Sequence, residues 1–372
     1  MHKLLRQTLP LLAASAVAVA VPAGAHAAGS PAETLAQMLA ASGLTESGYV
    51  AASYYDSSGG NTYHQFDTEH DSFQLDQAGL TLAYQPQQGF GAVVNVIAGN
   101  DAKIVNAAES ASATSSDSFD LLQGFIQYAS GALTVQAGKF TTLAGAEVIA
   151  PTGNTSFSRS LLFYAEPMTH TGLRATYAVN STLSVIVGIN NGWNYTSINA
   201  GSKTGEFGIA LAPLKPLSIT AQAYIGTDPV DLARRTLFDT VWTYDATPAL
   251  SFIVSYDWGK QDASGVTSGG EWDGIAGYAN YQISTEWRVS VRGEELDDKD
   301  GFILGSAQKV KEGTVTLGYD PVPAFELRIE GRYDTSNHPT FTYTHSSAAT
   351  GSTVTRYSAH QSELALQGVY RF

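Results

Sequence analysis

Residues 325–334 read Phe-Glu-Leu-Arg-Ile-Glu-Gly-Arg-Tyr-Asp. Phe325, Leu327, Ile329, Gly331 and Tyr333 occupy one set of alternate positions, and Glu326, Arg328, Glu330, Arg332 and Asp334 occupy the other. Successive side chains of a strand point to opposite faces, so this segment predicts a strand with one apolar and one wholly charged face. A soluble sheet can hold one such face in water; repetition along the chain is harder to explain that way. Leu183, Val185, Val187 and Ile189 alternate with Ser184, Ile186, Gly188 and Asn190. Leu250, Phe252, Val254, Tyr256 and Trp258 alternate with Ser251, Ile253, Ser255 and Asp257. Trp287, Val289, Val291 and Gly293 alternate with Arg288, Ser290, Arg292 and Glu294. The last segment places Leu364, Leu366, Gly368, Tyr370 and Phe372 opposite Ala365, Gln367, Val369 and Arg371. Such a strand suits a barrel whose outer face meets lipid. Tyr370 and Phe372 then form the terminal aromatic signal read by the barrel assembly machinery of an outer membrane.

From Gly48 onward sixteen strands are expected, starting near Gly48, Phe73, Phe90, Ser118, Ala132, Thr169, Thr182, Gly205, Leu217, Thr236, Leu250, Trp272, Glu286, Lys311, Phe325 and His360. Short connections fall at 85–89, 130–131, 179–181, 212–216, 246–249, 284–285 and 320–324. Long ones fall between them, at 57–72, 103–117, 142–168, 195–204, 228–235, 261–271, 298–310 and 336–359. An even-stranded barrel with both ends in the periplasm needs this alternation, one fewer turn than loops. The expected fold is therefore all-β: a 16-stranded antiparallel transmembrane β-barrel with short periplasmic turns and long outer loops. Aromatics fit two interfacial girdles. Tyr84, Tyr128, Trp287, Phe325, Tyr370 and Phe372 lie near the short-turn end, and Tyr55, Trp193, Tyr256, Trp258 and Tyr333 near the long loops.

The other end of the chain agrees. Residues 1–27 read as a secretory signal peptide: Lys3 and Arg6 precede an apolar run from Leu9 to Val21, and Ala25-His26-Ala27 places the cut before Ala28. The apolar run is too short to span a membrane. Residues 28–47 form a short N-terminal periplasmic segment with a predicted helix over 31–42, and residues 48–372 form the barrel. The 372 residues include 20 Lys and Arg against 34 Asp and Glu; removing Lys3 and Arg6 leaves 18 against 34, a net charge of −16. That acidity excludes nucleic acid as a partner. With 36 Gly, 19 Tyr, 15 Phe and no Cys, the composition is that of an exported barrel without disulfides.

Several stretches resemble the OmpL-like β-barrel porin family of Gram-negative outer membranes. They include Glu147-Val148-Ile149, Pro151, Asn154, Ser158-Arg159-Ser160-Leu161-Leu162-Phe163 and the run Thr169 to Tyr177. Shorter matches are Phe66-Asp67-Thr68-Glu69, Gln77 to Leu82, Ala137-Gly138-Lys139-Phe140, Asn191-Gly192-Trp193, Gly277 to Tyr281 and Val291 to Glu294. The resemblance spans roughly 48–372. It implies an outer-membrane barrel with a pore function, and it carries no catalytic residues.

A porin passing small hydrophilic solutes or ions by diffusion is the expected function. A sixteen-stranded lumen is wide enough for water, so its lining must be polar. Arg174, Arg288, Arg292, Glu294, Glu326, Arg328, Glu330, Arg332 and Asp334 are the pore-lining candidates, with Arg371 on the same face. Rows of opposite charge set ion preference; the same residues can also pair and stiffen the wall. The loop 142–168 carries Glu147, Arg159 and Glu166 amid Leu161, Leu162 and Phe163. A loop lying in water has no need of Leu-Leu-Phe, so these mark a constriction loop folded into the barrel, with a rim cap or a contact with a neighbouring subunit as the alternative.

The acids Asp56, Asp67, Glu69, Asp71, Asp297, Asp298 and Asp300 are expected at the rim, bridged by cations to lipopolysaccharide. His64, Asp67, Glu69, His70 and Asp71 lack metal-ligand spacing and read as a solvated acidic loop. His170 with Ser156, Ser158 and Ser160 is the nearest approach to a nucleophile pair. No Gly-x-Ser-x-Gly is present, so no enzyme, cofactor or metal is expected. A homo-oligomer is compatible with this size, though no subunit interface is marked. The alternative is a non-transporting barrel acting as adhesin, receptor or structural protein.

Overall fold

A computed structural model describes residues 42–109, 117–198, 201–347 and 352–372. The expected leader, and all but the last residue of the helix predicted over 31–42, lie outside the described residues. The first eight strands are β1 (Thr45–Ser57), β2 (Ser72–Tyr84), β3 (Gly89–Ala98), β4 (Phe119–Ser130), β5 (Leu133–Thr141), β6 (Thr169–Ala178), β7 (Leu183–Asn190) and β8 (Thr204–Leu214). They continue as β9 (Leu217–Thr227), β10 (Arg234–Thr247), β11 (Leu250–Gln261), β12 (Gly270–Gln282), β13 (Trp287–Asp298), β14 (Gln308–Val322) and β15 (Phe325–Ser336). Two short strands follow, β16 (Phe341–Ser347) and β17 (Ser352–Ser358), and the chain ends in β18 (His360–Arg371). Neighbours pair antiparallel around the ring, β15 passes directly to β18, and β18 closes on β1. The barrel therefore has sixteen strands, each starting within three residues of its expected position.

The barrel is apolar outside and polar within. On β15, Ile329 and Tyr333 are 53% and 51% exposed, whereas Arg328 and Arg332 are 1% and 2% exposed. Ile126, Val187, Phe207, Ile275 and Val315 continue the apolar band around the wall. Water would penalise that band, whereas a bilayer core makes it the favourable outer surface. Among the described residues no helix is long and apolar enough to cross a membrane.

The terminal strand fits this geometry. Phe372 and Gly48 exchange both backbone hydrogen bonds at 2.9 Å. A Cβ at Gly48 would collide with the Phe372 ring, so glycine there lets the ring lie flat on the outer face of β1. Tyr84, Tyr128, Trp287, Tyr370 and Phe372 are exposed at the short-turn end, and Tyr256 and Tyr333 toward the loops. Two expected girdle residues are elsewhere. Tyr55 points inward and is fully buried. Trp193 packs edge-on against Trp272, with the Arg235 guanidinium 5.1 Å above its ring.

Regular elements also fall where loops were expected, two of them outside the loop 142–168. Helix α1 (Asn100–Glu109) follows β3 and packs Ala102 and Val105 against Ile97 and Leu122. β16 and β17 form a hairpin within the last long loop.

Candidate functional site

Loop 142–168 leaves β5, enters the lumen and returns to β6. Its order begins locally. Asn154 Oδ1 accepts from the Val148 N–H at 2.9 Å, and its amide donates to the Val148 and Ala150 carbonyls at 2.7 and 2.9 Å. Arg159 closes the other half of the loop, donating to the carbonyls of Val148, Phe157 and Ile149 at 2.9, 2.7 and 2.8 Å. Its guanidinium lies 5.3 Å from the Phe66 ring centre. A one-turn helix, α2 (Leu161–Tyr164), follows; Ser160 caps it by accepting from the Phe163 N–H at 3.1 Å.

Apolar side chains then wedge this unit into the barrel. Leu161 clusters with Trp272, Leu296 and Val310, and Leu162 with Ala276 and Tyr278. Ile149, Phe163 and Met168 join Phe66, Ile97 and Val105. Phe157 meets Tyr55 and Ala365, and Ala144 meets Tyr224 and Leu237. The loop thus reaches β1, β3, β9, β10, β12, β13, β14 and β18. It spans the lumen from wall to wall.

A backbone carried into a barrel interior needs partners for its N–H and C=O groups. The charged rows of β13, β14 and β15 supply them. Glu330 accepts from the Phe157 and Ser158 N–H groups at 2.6 and 2.9 Å, and from the Ser158 and Thr316 hydroxyls. Glu294 accepts from the Leu161 and Leu162 N–H groups at 2.8 and 3.3 Å. Arg292 donates to the Ser158 carbonyl at 2.9 Å, Glu147 at 2.7 Å and Glu312 at 2.9 Å. Glu147 in turn accepts from the Ser160 N–H at 2.6 Å. Arg288, Arg328 and Arg332 donate to the carbonyls of Thr155, Ser156 and Arg159 at 2.6, 3.2 and 2.7 Å. Glu326 takes Arg288, Arg328 and Arg371 together, and Asp334 takes Arg332 at 3.0 Å.

The nine expected pore-lining residues all face inward, but eight of them are buried and only Arg288 is partly exposed. Eight stand on β13 and β15, where loop 142–168 lies against Arg288, Arg292, Glu294, Arg328, Glu330 and Arg332, and His64 of the first long loop lies against Asp334. They do not form charge rows facing one another across water. Arg174 stands apart on β6, paired with Glu206 at 2.8 Å and 4.0 Å above the Phe140 ring. The loop residues divide between walls: Glu147 meets Arg292, whereas Glu166 lies against Asp239 and Asp257 on β10 and β11. Sequence reasoning missed Glu312, Thr316, Glu206 and Asp239. Each sits at an inward alternate position of its strand, and that parity was the available signal.

The sequence profile of the family described as "Putative beta-barrel porin-2, OmpL-like" matches residues 39–372. The chain belongs to this porin family. No curated protein sequence matches it. Solved outer-membrane proteins share the fold. OmpT of Vibrio cholerae aligns with a TM-score of 0.60 at 11% identity, over 88% of this chain and 97% of that one. OprB of Pseudomonas putida aligns at 0.58 and 12%, over 91% and 97%. An anion-selective porin of Comamonas acidovorans aligns at 0.56 and 11%, over 88% and 99%.

Within this outer-membrane porin the first long loop also folds inward rather than standing in solvent. His64 and Asp67 are buried, and His64 bridges Asp67 at 2.6 Å and Asp334 at 2.9 Å. Burial and the Arg332 charge push the His64 pKa down, but Asp67 and Asp334 outweigh them and raise it to about 10. Burial raises Asp67, and the His64 charge more than reverses this, holding the carboxyl well below its usual range. Asp298 is likewise no rim acid: it accepts from the backbone N–H groups of Gly301, Phe302, Ile303 and Leu304. Asp56, Glu69, Asp71 and Asp300 remain exposed. His170 bonds the Gly192 carbonyl and stacks on Tyr224 at 4.7 Å, while Ser158 bonds Glu330 and Ser156 bonds Thr316. No hydrogen bond joins His170 to the expected serines.

Proposed function

We propose that this porin is a passive channel for small hydrophilic solutes, narrowed by loop 142–168. The observation that carries the reading is the loop's attachment to opposite walls of the lumen. Apolar clusters hold it on both sides, and the arginines and glutamates of β13 and β15 fasten its backbone. In this view the charged rows position the constriction, and selection by size follows from the space the loop leaves.

Liposome swelling with graded sugars and charged solutes tests this. Swelling that falls steeply with solute size supports a narrowed diffusion pore. No swelling by correctly folded protein favours a non-transporting adhesin, receptor or structural barrel.

The remaining expectations belong to the same proposal. The leader is cleaved before Ala28, and the periplasmic segment that follows, expected over 28–47, gives way to the barrel where β1 begins at Thr45, three residues ahead of the expected start at 48. Tyr370 and Phe372, exposed on the last strand, suit recognition by the assembly machinery. The exposed acids Asp56, Glu69, Asp71 and Asp300 suit cation bridges to lipopolysaccharide. OmpT of Vibrio cholerae has been solved in a trimer form, and a homo-oligomer is proposed here by analogy of fold.

A further inference from the structure

We infer that Glu166, Asp239 and Asp257 form a binding site for a hard divalent cation, of the calcium or magnesium class, that ties the end of loop 142–168 to the β10–β11 wall. Asp239 and Asp257 stand directly opposite each other in the β10–β11 register. Both are 0% exposed, and among the described residues neither carboxylate has a hydrogen-bond partner; the nearest donor is the backbone N–H of Gly145, on the Asp239 side, and nothing comparable approaches Asp257. Glu166 arrives from the loop, and one oxygen from each of the three lies within 4.8 Å of the others. A Cβ at Gly145 would collide with the Glu166 carboxylate, so the loop leaves room for it.

Other buried carboxylates of the described residues have a donor or a cation. Glu147 and Glu312 have Arg292, Glu206 has Arg174, Asp120 has Lys139 and Glu294 has two backbone N–H groups. The triad forms no ion pair with any basic side chain there. Like charges facing across a strand pair destabilise it, and buried charge without a partner costs more. A divalent ion resolves both. Three carboxylates offer up to six oxygens and no nitrogen or sulfur, a donor set for calcium or magnesium rather than zinc. The competing resolution is protonation, with the three carboxyls sharing protons and binding no metal.

Isothermal titration calorimetry separates the two. Detergent-folded protein, stripped with EDTA and dialysed, is titrated at neutral pH with calcium chloride and, separately, magnesium chloride. Asp239→Asn, Asp257→Asn and the double variant are run alongside. Exposed rim acids contribute equally to every variant, so the buried site is the component the substitutions remove. The expected result is one saturable component for at least one cation, weakened tenfold or more by either single change and lost in the double variant. The wild-type thermal midpoint should rise with that cation and fall with EDTA, with no such response in the double variant. Identical isotherms and cation-independent midpoints in wild type and double variant would overturn the inference in favour of shared protons. If the double variant does not fold, Glu166→Gln on the loop replaces it. Absence of saturable binding by the wild type overturns the inference in any case. Neither readout uses conduction, so its failure would leave the porin reading untouched.

Discussion

Glu330→Gln should loosen the loop and leave the barrel standing. The Glu330 carboxylate accepts from two loop N–H groups, Phe157 at 2.6 Å and Ser158 at 2.9 Å, one on each oxygen. Its other partners are the Ser158 and Thr316 hydroxyls, which can rotate to accept instead. Glutamine has the same shape but one accepting oxygen. Whichever way its amide turns, one loop N–H faces another donor. A hydrogen bond to a charged group contributes about 1.5–3 kcal/mol, and a buried donor left unpaired costs about 1–3 kcal/mol. Taking about 3 kcal/mol for the two effects together, the ratio of open to closed loop rises roughly a hundredfold, at 1.4 kcal/mol per tenfold. Single-channel recording in planar bilayers reads this as more frequent excursions to a higher conductance, by about two orders of magnitude. Circular dichroism and heat-modified electrophoretic mobility would verify that the barrel remains folded. A folded variant with wild-type conductance and no added excursions would refute the claim that Glu330 fastens the constriction.

Three further outcomes follow from the geometry. His64 is raised from 6.5 to about 10, so its stabilisation is full below pH 6.5 and is lost as pH climbs toward 10. The thermal stability gap between wild type and His64→Gln should therefore shrink from pH 6 to pH 10; a constant gap would contradict the buried His64–Asp67–Asp334 bridge. Ile329→Arg places a charge on the lipid face and should destabilise the barrel by about 2–4 kcal/mol in bilayers near the midplane, where a water-facing site would be almost neutral. Urea unfolding in lipid vesicles measures it. Gly48→Leu should displace the Phe372 ring and slow barrel closure, read as a lower rate of refolding into vesicles, whereas Ala52→Leu on the same outer face should not.

The barrel was legible because its wall obeys a local rule. Strand starts at Thr169, Leu217, Leu250, Phe325 and His360 fall where alternation alone placed them. Lipid outside and polar groups inside leave a period-two signature that survives without any alignment. The loops obey no such rule. Helix α1 had a readable cue, Asp101 in the first turn and Ala102, Val105 and Ala108 three apart, but ten residues make a weak signal. The hairpin of β16 and β17 was hidden among polar residues. The inward fold of loop 142–168 was announced by Leu161, Leu162 and Phe163, yet its fastening could not be read. Arg292 meets Ser158 across 134 positions and Glu330 meets Phe157 across 173, and no spacing rule connects residues so distant. The charged rows were found, but their partner is a backbone, which sequence does not mark.

The constriction itself is tested most directly by removing residues 153–162 and recording single-channel conductance. That stretch carries the Phe157, Ser158, Leu161 and Leu162 contacts that bridge the lumen. A folded deletion variant should conduct several-fold more than the wild type and admit larger sugars in liposome swelling. An unchanged conductance and an unchanged size cutoff, with the barrel intact, would contradict the claim that this loop narrows the pore.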